Sequence, residues 1–257
     1  MIPMRLLVSD HLSSPGWDLL RAAPDVTPAG PFATRAELLA ALPEADALIV
    51  RSGTEVDAEL LDAAPRLRVV ARAGARLDNI ALDEATRRGI MVINVPDANL
   101  YAVAEHTFGM LLALARGIPQ GHTALQAGQW PRHQMPGFQL HGKTLGIIGF
   151  GHLGREVAAR ARAFGMAVLV YDPYADLSFA RERGVEIVNF TDLLQRADIV
   201  TLHTALTPQT EGLMNAAAFA QMKPGSLFVN CTLAGLVDED ALLEALEAHR
   251  RGTRPCL

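Results

Sequence analysis

Residues 145–172 read LGIIGFGHLGREVAARARAFGMAVLVYD, and this stretch decides the fold. Its first four residues form a short apolar run of the kind found in a buried strand. Glycines at 149, 151 and 154 follow in a G-x-G-x-x-G pattern, and apolar and charged residues then alternate at helical spacing as far as Phe164. A second apolar run ends at Asp172. The stretch therefore predicts a strand, a glycine turn, a helix, a second strand and an acidic residue.

Each part of this unit suits the binding of a dinucleotide. Gly149 allows a tight turn, Gly151 lets a pyrophosphate approach the backbone, and Gly154 lets the helix pack on the strand. The N-terminus of the helix offers N–H groups and a partial positive charge to the phosphates. Asp172 is placed to accept hydrogen bonds from a ribose diol, and its charge favours NAD over NADP. The alternative is a structural turn of the same kind without a ligand.

Composition and charge exclude several classes of protein. The chain has 257 residues, of which 50% are hydrophobic, and a formal net charge of −5, which argues against a nucleic acid partner. The apolar segment at 108–115 is too short to span a membrane, and we recognise no signal peptide, so we expect a cytoplasmic protein. The two cysteines do not form a disulfide framework, and no spacing of His or Cys supports a metal site.

Strands and helices alternate along the chain, which predicts an α/β fold with parallel sheets. The helix predicted at 100–116 is apolar on most sides, so we expect it to be buried between domains or between subunits. Residues 117–142 are predicted to be irregular, and an amphipathic helix at 238–248 begins after Asp238 as its N-cap. The other predicted strands lie at 4–8, 46–51, 67–72, 90–95, 185–189, 198–203 and 226–230, and the other helices at 16–22, 34–42, 57–64 and 82–88.

Several motifs in a fixed order resemble the D-isomer-specific 2-hydroxyacid dehydrogenases, and among them the phosphoglycerate dehydrogenase branch. The resemblance covers about residues 4–248 and rests on Ile49-Val-Arg-Ser52, Ala71-Arg-Ala-Gly74 with Asp78-Asn79, Ala104-Glu-His106, the glycine pattern with Asp172, Leu202-His-Thr204 with Pro208, and Val229-Asn-Cys231 with Gly235-Leu-Val-Asp-Glu239.

The resemblance implies two doubly wound parallel-sheet domains, a flavodoxin-like substrate domain and a Rossmann NAD-binding domain. We assign residues 1–97 to the first part of the substrate domain and 98–248 to the NAD-binding domain. Residues 249–257 form an aberrant tail, which contains three arginines and a proline and cannot form the expected buried strand, so the last part of the fold is expected to be missing. The family also implies a homodimer formed around the helix at 100–116.

Cofactor contacts follow from the resemblance residue by residue. His152 and Leu153 would lie over the pyrophosphate and Asp172 would bind the adenosine ribose. Thr204 and Cys231, at strand ends, would flank the nicotinamide half of NAD, close to His203, which has either a structural or a cofactor-facing role.

Substrate contacts are implied in the first half of the chain, for a small 2-hydroxy or 2-keto acid. Arg51 with Ser52, and Arg72 with Gly74, would meet its phosphate or carboxylate, and guanidinium is a forked donor for such anions. The alternative is that both arginines are solvated surface residues. Arg76 replaces a family glycine and would either add a phosphate contact or obstruct the pocket.

The catalytic groups depart from the family pattern. Transfer of a hydride from a 2-hydroxy acid needs a base, a carboxylate that holds the base, and an arginine that clamps the substrate carboxylate. The family arginine lies in an Asn-Cys-x-Arg-Gly-Gly pattern, where this chain has Leu233. The family acid and histidine come after a further strand that we do not find, and His203 is the best placed of the other histidines. We therefore expect no intact set of catalytic residues.

Three hypotheses are consistent with these observations. The chain is an NAD-dependent oxidoreductase of the 2-hydroxyacid dehydrogenase type, or a non-catalytic NAD-binding protein that acts as a sensor or partner subunit, or the truncated or frameshifted product of a gene remnant. Leu233 and the tail favour the second and third equally.

Overall fold

The computed structural model describes residues 3–250, and it confirms an α/β fold with two five-stranded parallel sheets. The chain divides into two compact units, and the division falls between Asn99 and Leu100. Residues 251–257 of the predicted tail lie outside the described residues. In the described part of the chain no helix is both long enough and apolar enough to cross a membrane.

The first unit is a flavodoxin-like sheet with strand order β2-β1-β3-β4-β5. Its apolar core is formed by strand residues such as Leu7, Leu48 and Val70 together with Leu38 and Leu60 of two helices. The elements are β1 (Met4–Val8), α1 (Ser14–Ala22), β2 (Val26–Ala29), α2 (Arg35–Ala41), β3 (Ala47–Val50), α3 (Ala58–Asp62), β4 (Val69–Arg72), α4 (Leu82–Arg87) and β5 (Met91–Asn94).

Capping residues determine where two helices of this unit begin or end. Asp57 caps α3 by accepting a hydrogen bond from the backbone N–H of Leu60, and Gly89 closes α4 with a positive φ of 69°. Strand β2 is a departure from the sequence analysis, which predicted no strand between 22 and 34. It pairs with β1 at the edge of the sheet, where Pro28 is tolerated.

The second unit is a Rossmann sheet with strand order β10-β9-β6-β7-β8. Helices α5 and α7 cover one face, where Phe108, Leu111 and Val157 are buried. The elements are α5 (Leu100–Arg116), α6 (Ile118–Gln126), β6 (Thr144–Ile148), α7 (His152–Ala163), β7 (Ala167–Tyr171), α8 (Leu177–Glu182), β8 (Glu186–Ile187), α9 (Phe190–Arg196), β9 (Ile199–Leu202), α10 (Ala216–Gln221), β10 (Leu227–Asn230) and α11 (Glu239–Arg250).

One prediction for this unit is wrong, and the sequence analysis did not predict the short helices α8, α9 and α10. The segment after α5 is not irregular throughout, since α6 begins directly after Gly117, which adopts φ 60°. Within this single chain α5 buries only Ala104, Thr107, Phe108, Leu111 and Ala115, so its burial between domains or between subunits stays a prediction. Its opposite side leaves apolar side chains in solvent, namely Tyr101, Met110 and Leu114 at 62%, 43% and 46% exposure.

Candidate cofactor and substrate sites

The glycine turn between β6 and α7 is held by close backbone contacts. Gly149 has φ 96°, and a Cβ there would lie 2.6 Å from the carbonyl carbon of His203 and the nitrogen of Thr204. A Cβ on Gly154 would lie 2.1 Å from the carbonyl oxygen of Gly149. Gly151 differs, since apart from its chain neighbours no atom lies within 4 Å of the position of its Cβ. Gly149 and Gly154 therefore serve packing, and Gly151 leaves open space above the turn.

The first turn of α7 has the properties of an anion site. Its N-cap is Gly151, which supplies no side-chain acceptor, so the turn is left with N–H groups that no cap side chain satisfies. His152 is exposed and Leu153 is half-buried against the core of the unit. A pyrophosphate fits the open space over Gly151, where backbone donors and the helix dipole act together.

Asp172 follows β7 and is tied to the same turn. Its carboxylate oxygens accept hydrogen bonds from the backbone N–H of Phe150 at 2.7 Å and of Tyr174 at 2.8 Å. Each carboxylate oxygen has a second lone pair, so the group can still accept bonds from a ribose diol. Asp172 therefore fixes the glycine turn in addition to the role predicted from its position.

His203, directly after β9, is buried at 8% exposure. Its Nε2 lies 3.0 Å from Oγ1 of Thr201, while Nδ1 has no hydrogen-bond partner among the described residues. Burial lowers the pKa of the imidazole from 6.5 to about 4, so the ring is neutral at pH 7. A group with so low a pKa is a weak proton acceptor, which argues against His203 as the catalytic base.

The buried imidazole makes stability depend on pH. The unfolded chain protonates this group below its usual pKa of 6.5, whereas the folded chain does so only near 4, so stability falls as the pH drops through this window. Between pH 7.5 and 5.0 we expect His203 to account for a loss of roughly 2 kcal/mol in the free energy of unfolding. Urea denaturation of the parent chain and of His203→Gln measures it, and parallel pH profiles of the two would contradict the assignment.

The ends of β9 and β10 carry the remaining predicted cofactor residues. Thr204 is half-buried two residues after β9, and Cys231, a free and half-buried thiol, follows β10 and packs against the core beside α5. Both therefore lie at carboxyl ends of strands on the β6 side of the sheet, the edge at which such folds bind ligands.

Leu233 lies in a short loop after β10 that is closed by hydrogen bonds. The side chain of Asn230 donates from Nδ2 to the carbonyl of Leu233 at 2.9 Å, and its Oδ1 accepts from the N–H of Thr232 at 2.9 Å. The Leu233 side chain is half-buried and packs against the apolar cluster under α9 and α10. A leucine in this position satisfies an apolar contact and offers no donor to an anion.

In the first unit, Arg51 and Arg72 follow or end neighbouring strands and share one partner, Asn79. The amide of Asn79 donates from Nδ2 to the carbonyls of Arg51 and Thr54, each at 2.6 Å, and its Oδ1 accepts from Nε of Arg72 at 3.0 Å. Arg72 is buried at 9% exposure, whereas Arg51 is exposed and donates from Nη1 to the carbonyl of His11. The surface interpretation is therefore wrong for Arg72.

The loop after β4 explains two further residues. A Cβ on Gly74 would lie 2.1 Å from Nη1 of Arg72, so glycine makes room for the folded-back guanidinium. Arg76 forms a two-point ion pair with Asp78 on the surface, so its guanidinium is already neutralised. Ser52 is exposed beside Arg51.

Asn79 and Asp10 are the residues of this site that the sequence analysis does not assign. Asp10 accepts hydrogen bonds from the backbone N–H of Arg51 at 2.6 Å and from Oγ of Ser9 at 3.1 Å, and it thereby joins the ends of β1 and β3. For Asp10 the available signal is a short polar residue close behind a parallel strand, since such strand ends meet at one edge of the sheet. Asn79 lies seven residues after β4 and gives no such signal.

The two parallel sheets and the glycine turn between β6 and α7 agree with one protein family. The sequence profile described as "D-isomer specific 2-hydroxyacid dehydrogenase, NAD binding domain" matches residues 108–253. The chain belongs to this family, and NAD is confirmed as the cofactor of the class.

The similarity to individual proteins confirms the predicted branch. The D-3-phosphoglycerate dehydrogenase of Mycobacterium leprae is 47% identical over 230 residues, which cover 86% of this chain and 44% of that protein. The chain thus spans about half the length of the curated relatives it matches.

Solved structures agree with this placement. The TT0316 protein of Thermus thermophilus superposes with a TM-score of 0.87 at 35% identity, covering 95% of this chain and 78% of that chain. The D-lactate dehydrogenase of Aquifex aeolicus, solved with NAD and lactic acid, superposes with a TM-score of 0.84 at 28% identity, covering 96% and 74%.

Proposed function

We propose that this chain is a phosphoglycerate dehydrogenase-like oxidoreductase whose residues 1–257 bind NAD but do not turn over substrate. The observation that carries the proposal is a contrast within one unit. The glycine turn and Asp172 have features that suit a dinucleotide, while Leu233, at the position of the family arginine, packs against an apolar cluster.

In the cofactor site, the backbone over Gly151 would hold the pyrophosphate of NAD, and Asp172 would hold the adenosine ribose. NAD, when bound, supplies the nicotinamide that accepts or returns a hydride. The half-buried residues after β9 and β10, Thr204 and Cys231, would line the nicotinamide half of the site. The neutral imidazole of His203 is suited to a structural role at the end of β9 and not to proton transfer.

The proposed substrate is a small 2-hydroxy or 2-keto acid that carries a further anionic group. Arg72 supports this, because its guanidinium is buried and has no carboxylate within ion-pair distance among residues 3–250. Asn79 orients that guanidinium through Nε and leaves its terminal nitrogens available to a phosphate or carboxylate oxygen. Arg51, exposed at the neighbouring strand end, would add a second donor.

A second candidate is a non-catalytic NAD-binding protein, a sensor or a partner subunit. It is favoured by the same two residues, since Leu233 offers no donor and His203 is a poor base. In that case the chain would bind NAD and respond to it through association instead of chemistry.

Asp172 provides the test of the cofactor site. Asp172→Ala removes the ribose acceptor and the two bonds that hold Phe150 and Tyr174, so we expect NADH to bind at least tenfold more weakly. Fluorescence titration of NADH measures the change. Asp192→Ala, which removes an acid in the first turn of α9 outside the glycine turn, is the control. Equal affinity in the parent and in Asp172→Ala would refute the role of Asp172.

We further propose that the chain forms a homodimer through the exposed side of α5 and the adjoining α6. Met110 and Leu114 on α5 and Ile118 and Leu125 on α6 are between 43% and 56% exposed, which leaves a run of apolar side chains in water. The family resemblance supplies the expected occupant, a second copy of the chain.

Sedimentation velocity tests the dimer at micromolar concentration. We expect the parent chain to sediment as a dimer and the double variant Met110→Asp with Leu114→Asp to sediment as a monomer, because buried charges would oppose association. Leu19→Asp is the matched control, since Leu19 is 74% exposed on α1 of the other unit. A monomeric parent would contradict the proposal.

A further inference from the structure

A small, mostly apolar pocket bordered by three arginines lies beside α7, next to Phe150 of the glycine turn. It has a volume of about 210 Å³, and its lining includes the three arginines Arg155, Arg162 and Arg183 and no acidic residue. The rest of the lining is apolar, with the ring of Phe150 on one side and Val185 on the other.

Two of the arginines are held by one aromatic ring. The guanidinium carbons of Arg155 and Arg183 each lie 4.1 Å from the centre of the Phe179 ring. The two cations are therefore within about twice that distance of each other, where like charges repel. Arg155 is fixed further by a 3.1 Å hydrogen bond from Nε to the carbonyl of Phe150, so its terminal nitrogens remain free to bind.

The third arginine, Arg162, lies near the C-terminal end of α7. Its guanidinium lies beside Gly184, where an added Cβ would be 3.0 Å from Nη2 of Arg162. Glycine at 184, with φ 63°, lets the arginine lie across the start of β8. The three arginines that border the pocket thus come from both ends of α7 and from the loop before β8.

These charges lack the partners that neighbouring arginines have. Arg160 pairs with Glu156 at 2.6 Å, and Arg196 pairs with Glu186 at 2.7 Å. In contrast, none of the three pocket arginines has a carboxylate within ion-pair distance in the described part of the chain. The exposed carboxylate of Asp176 feels the charge of Arg155 but is engaged in capping α8.

We propose that this pocket binds the phosphate group of a small molecule, held by the guanidinium groups of Arg155, Arg162 and Arg183. Guanidinium matches phosphate by paired hydrogen bonds, and the volume is below that of pockets for whole drug-sized ligands, so it suits one anionic group and not a whole nucleotide. The proposal goes beyond the cofactor site and does not depend on turnover.

Two sources of the phosphate share this chemistry. Phe150 links the pocket to the ribose site, because its N–H bonds to Asp172 and its carbonyl bonds to Arg155. A phosphate on the adenosine ribose, as in NADP, could therefore reach the pocket from that side. A free phosphorylated metabolite could enter from solvent, as Arg162 and Arg183 are exposed.

Calorimetric titration with inorganic phosphate, at constant ionic strength and with saturating NAD to fill the glycine turn, tests the pocket. We expect Arg162→Gln and Arg183→Gln each to weaken phosphate binding roughly tenfold or more, since each removes charge-assisted hydrogen bonds. Arg181→Gln is the control, because Arg181 lies exposed on the same helix as Phe179 but outside the pocket. Parent-like binding in Arg162→Gln and Arg183→Gln, or no binding by the parent, would overturn the proposal.

Competition separates the two sources. If the phosphate belongs to the dinucleotide, NADP will displace inorganic phosphate, and Arg183→Gln will weaken binding of NADP tenfold while leaving NAD unchanged. If it belongs to a free metabolite, NADP and inorganic phosphate will bind without competing. Either result supports the pocket. If the NAD titrations fail, the same phosphate titration without NAD, read as the difference between Arg183→Gln and Arg181→Gln, still decides the proposal.

Discussion

Residues 1–257, purified as one chain, should oxidise 3-phosphoglycerate with NAD at a rate that cannot be distinguished from the blank. Leu233 removes the clamp on the substrate carboxylate, and a lost partner of a buried ion pair costs about 3–5 kcal/mol, or roughly 10²–10⁴ in rate. The lack of a positioned general base among the assigned residues removes about a further 10²–10⁴, which is the usual contribution of general acid–base catalysis. The measurement is the appearance of NADH, or its loss with a 2-keto acid.

Leu233→Arg alone should restore little of this rate, because the groups act as a unit and no base is restored with the arginine. NADH affinity provides the control, since it should be the same in the parent and in Leu233→Arg. Clear turnover by the unmodified chain would refute the argument and would mean that His203 or another group acts as the base.

Substitutions of Gly151 and Gly154, the second and third glycines of the turn, should affect NADH binding and folding stability differently. Gly151→Val should lower NADH affinity by at least about a hundredfold, because a side chain would fill the space that the pyrophosphate approaches. Its free energy of unfolding should change by less than about 1 kcal/mol, since the backbone there is extended and nothing beyond its chain neighbours lies within 4 Å. Gly154→Val should instead destabilise the fold by about 1–3 kcal/mol or more, because its Cβ meets a backbone oxygen.

NADH titration and urea denaturation of both variants check this expectation. Gly128→Ala is the control for substituting a glycine elsewhere in the chain. Gly128 lies away from the turn with no atom beyond its chain neighbours within 4 Å of an added Cβ, but its positive φ gives the substitution a cost in stability of its own. If Gly151→Val binds NADH like the parent, the pyrophosphate does not lie over that glycine.

The strands could largely be predicted because they are apolar runs, but β2 and the helices α6, α8, α9 and α10 were not recognised. Strand β2 contains Pro28, which interrupts an apolar pattern and is acceptable only because the strand lies at the sheet edge. Helix α6 contains Pro119 and Gly121, which normally argue against a helix, yet Pro119 occupies the first turn, where it is tolerated.

The candidate cofactor site could be proposed from residue types because glycine and aspartate would act there through the backbone and through a fixed spacing. The environment of the two candidate substrate arginines was less predictable, since the burial of Arg72 depends on Asn79 and on the missing side chain of Gly74, which only the folded loop brings together. The pocket of Arg155, Arg162 and Arg183 gathers residues from separate elements and leaves no local pattern in the sequence.

The two bonds that Asp172 accepts from Phe150 and Tyr174 have a consequence for how cofactor preference could evolve. The carboxylate is preorganised before any nucleotide arrives, so little ordering entropy is lost at this point on binding. The same bonds make the residue difficult to replace, because a substitution that admits a ribose phosphate also releases the glycine turn. A change of dinucleotide preference at Asp172 would therefore also require a new acceptor for the N–H groups of Phe150 and Tyr174.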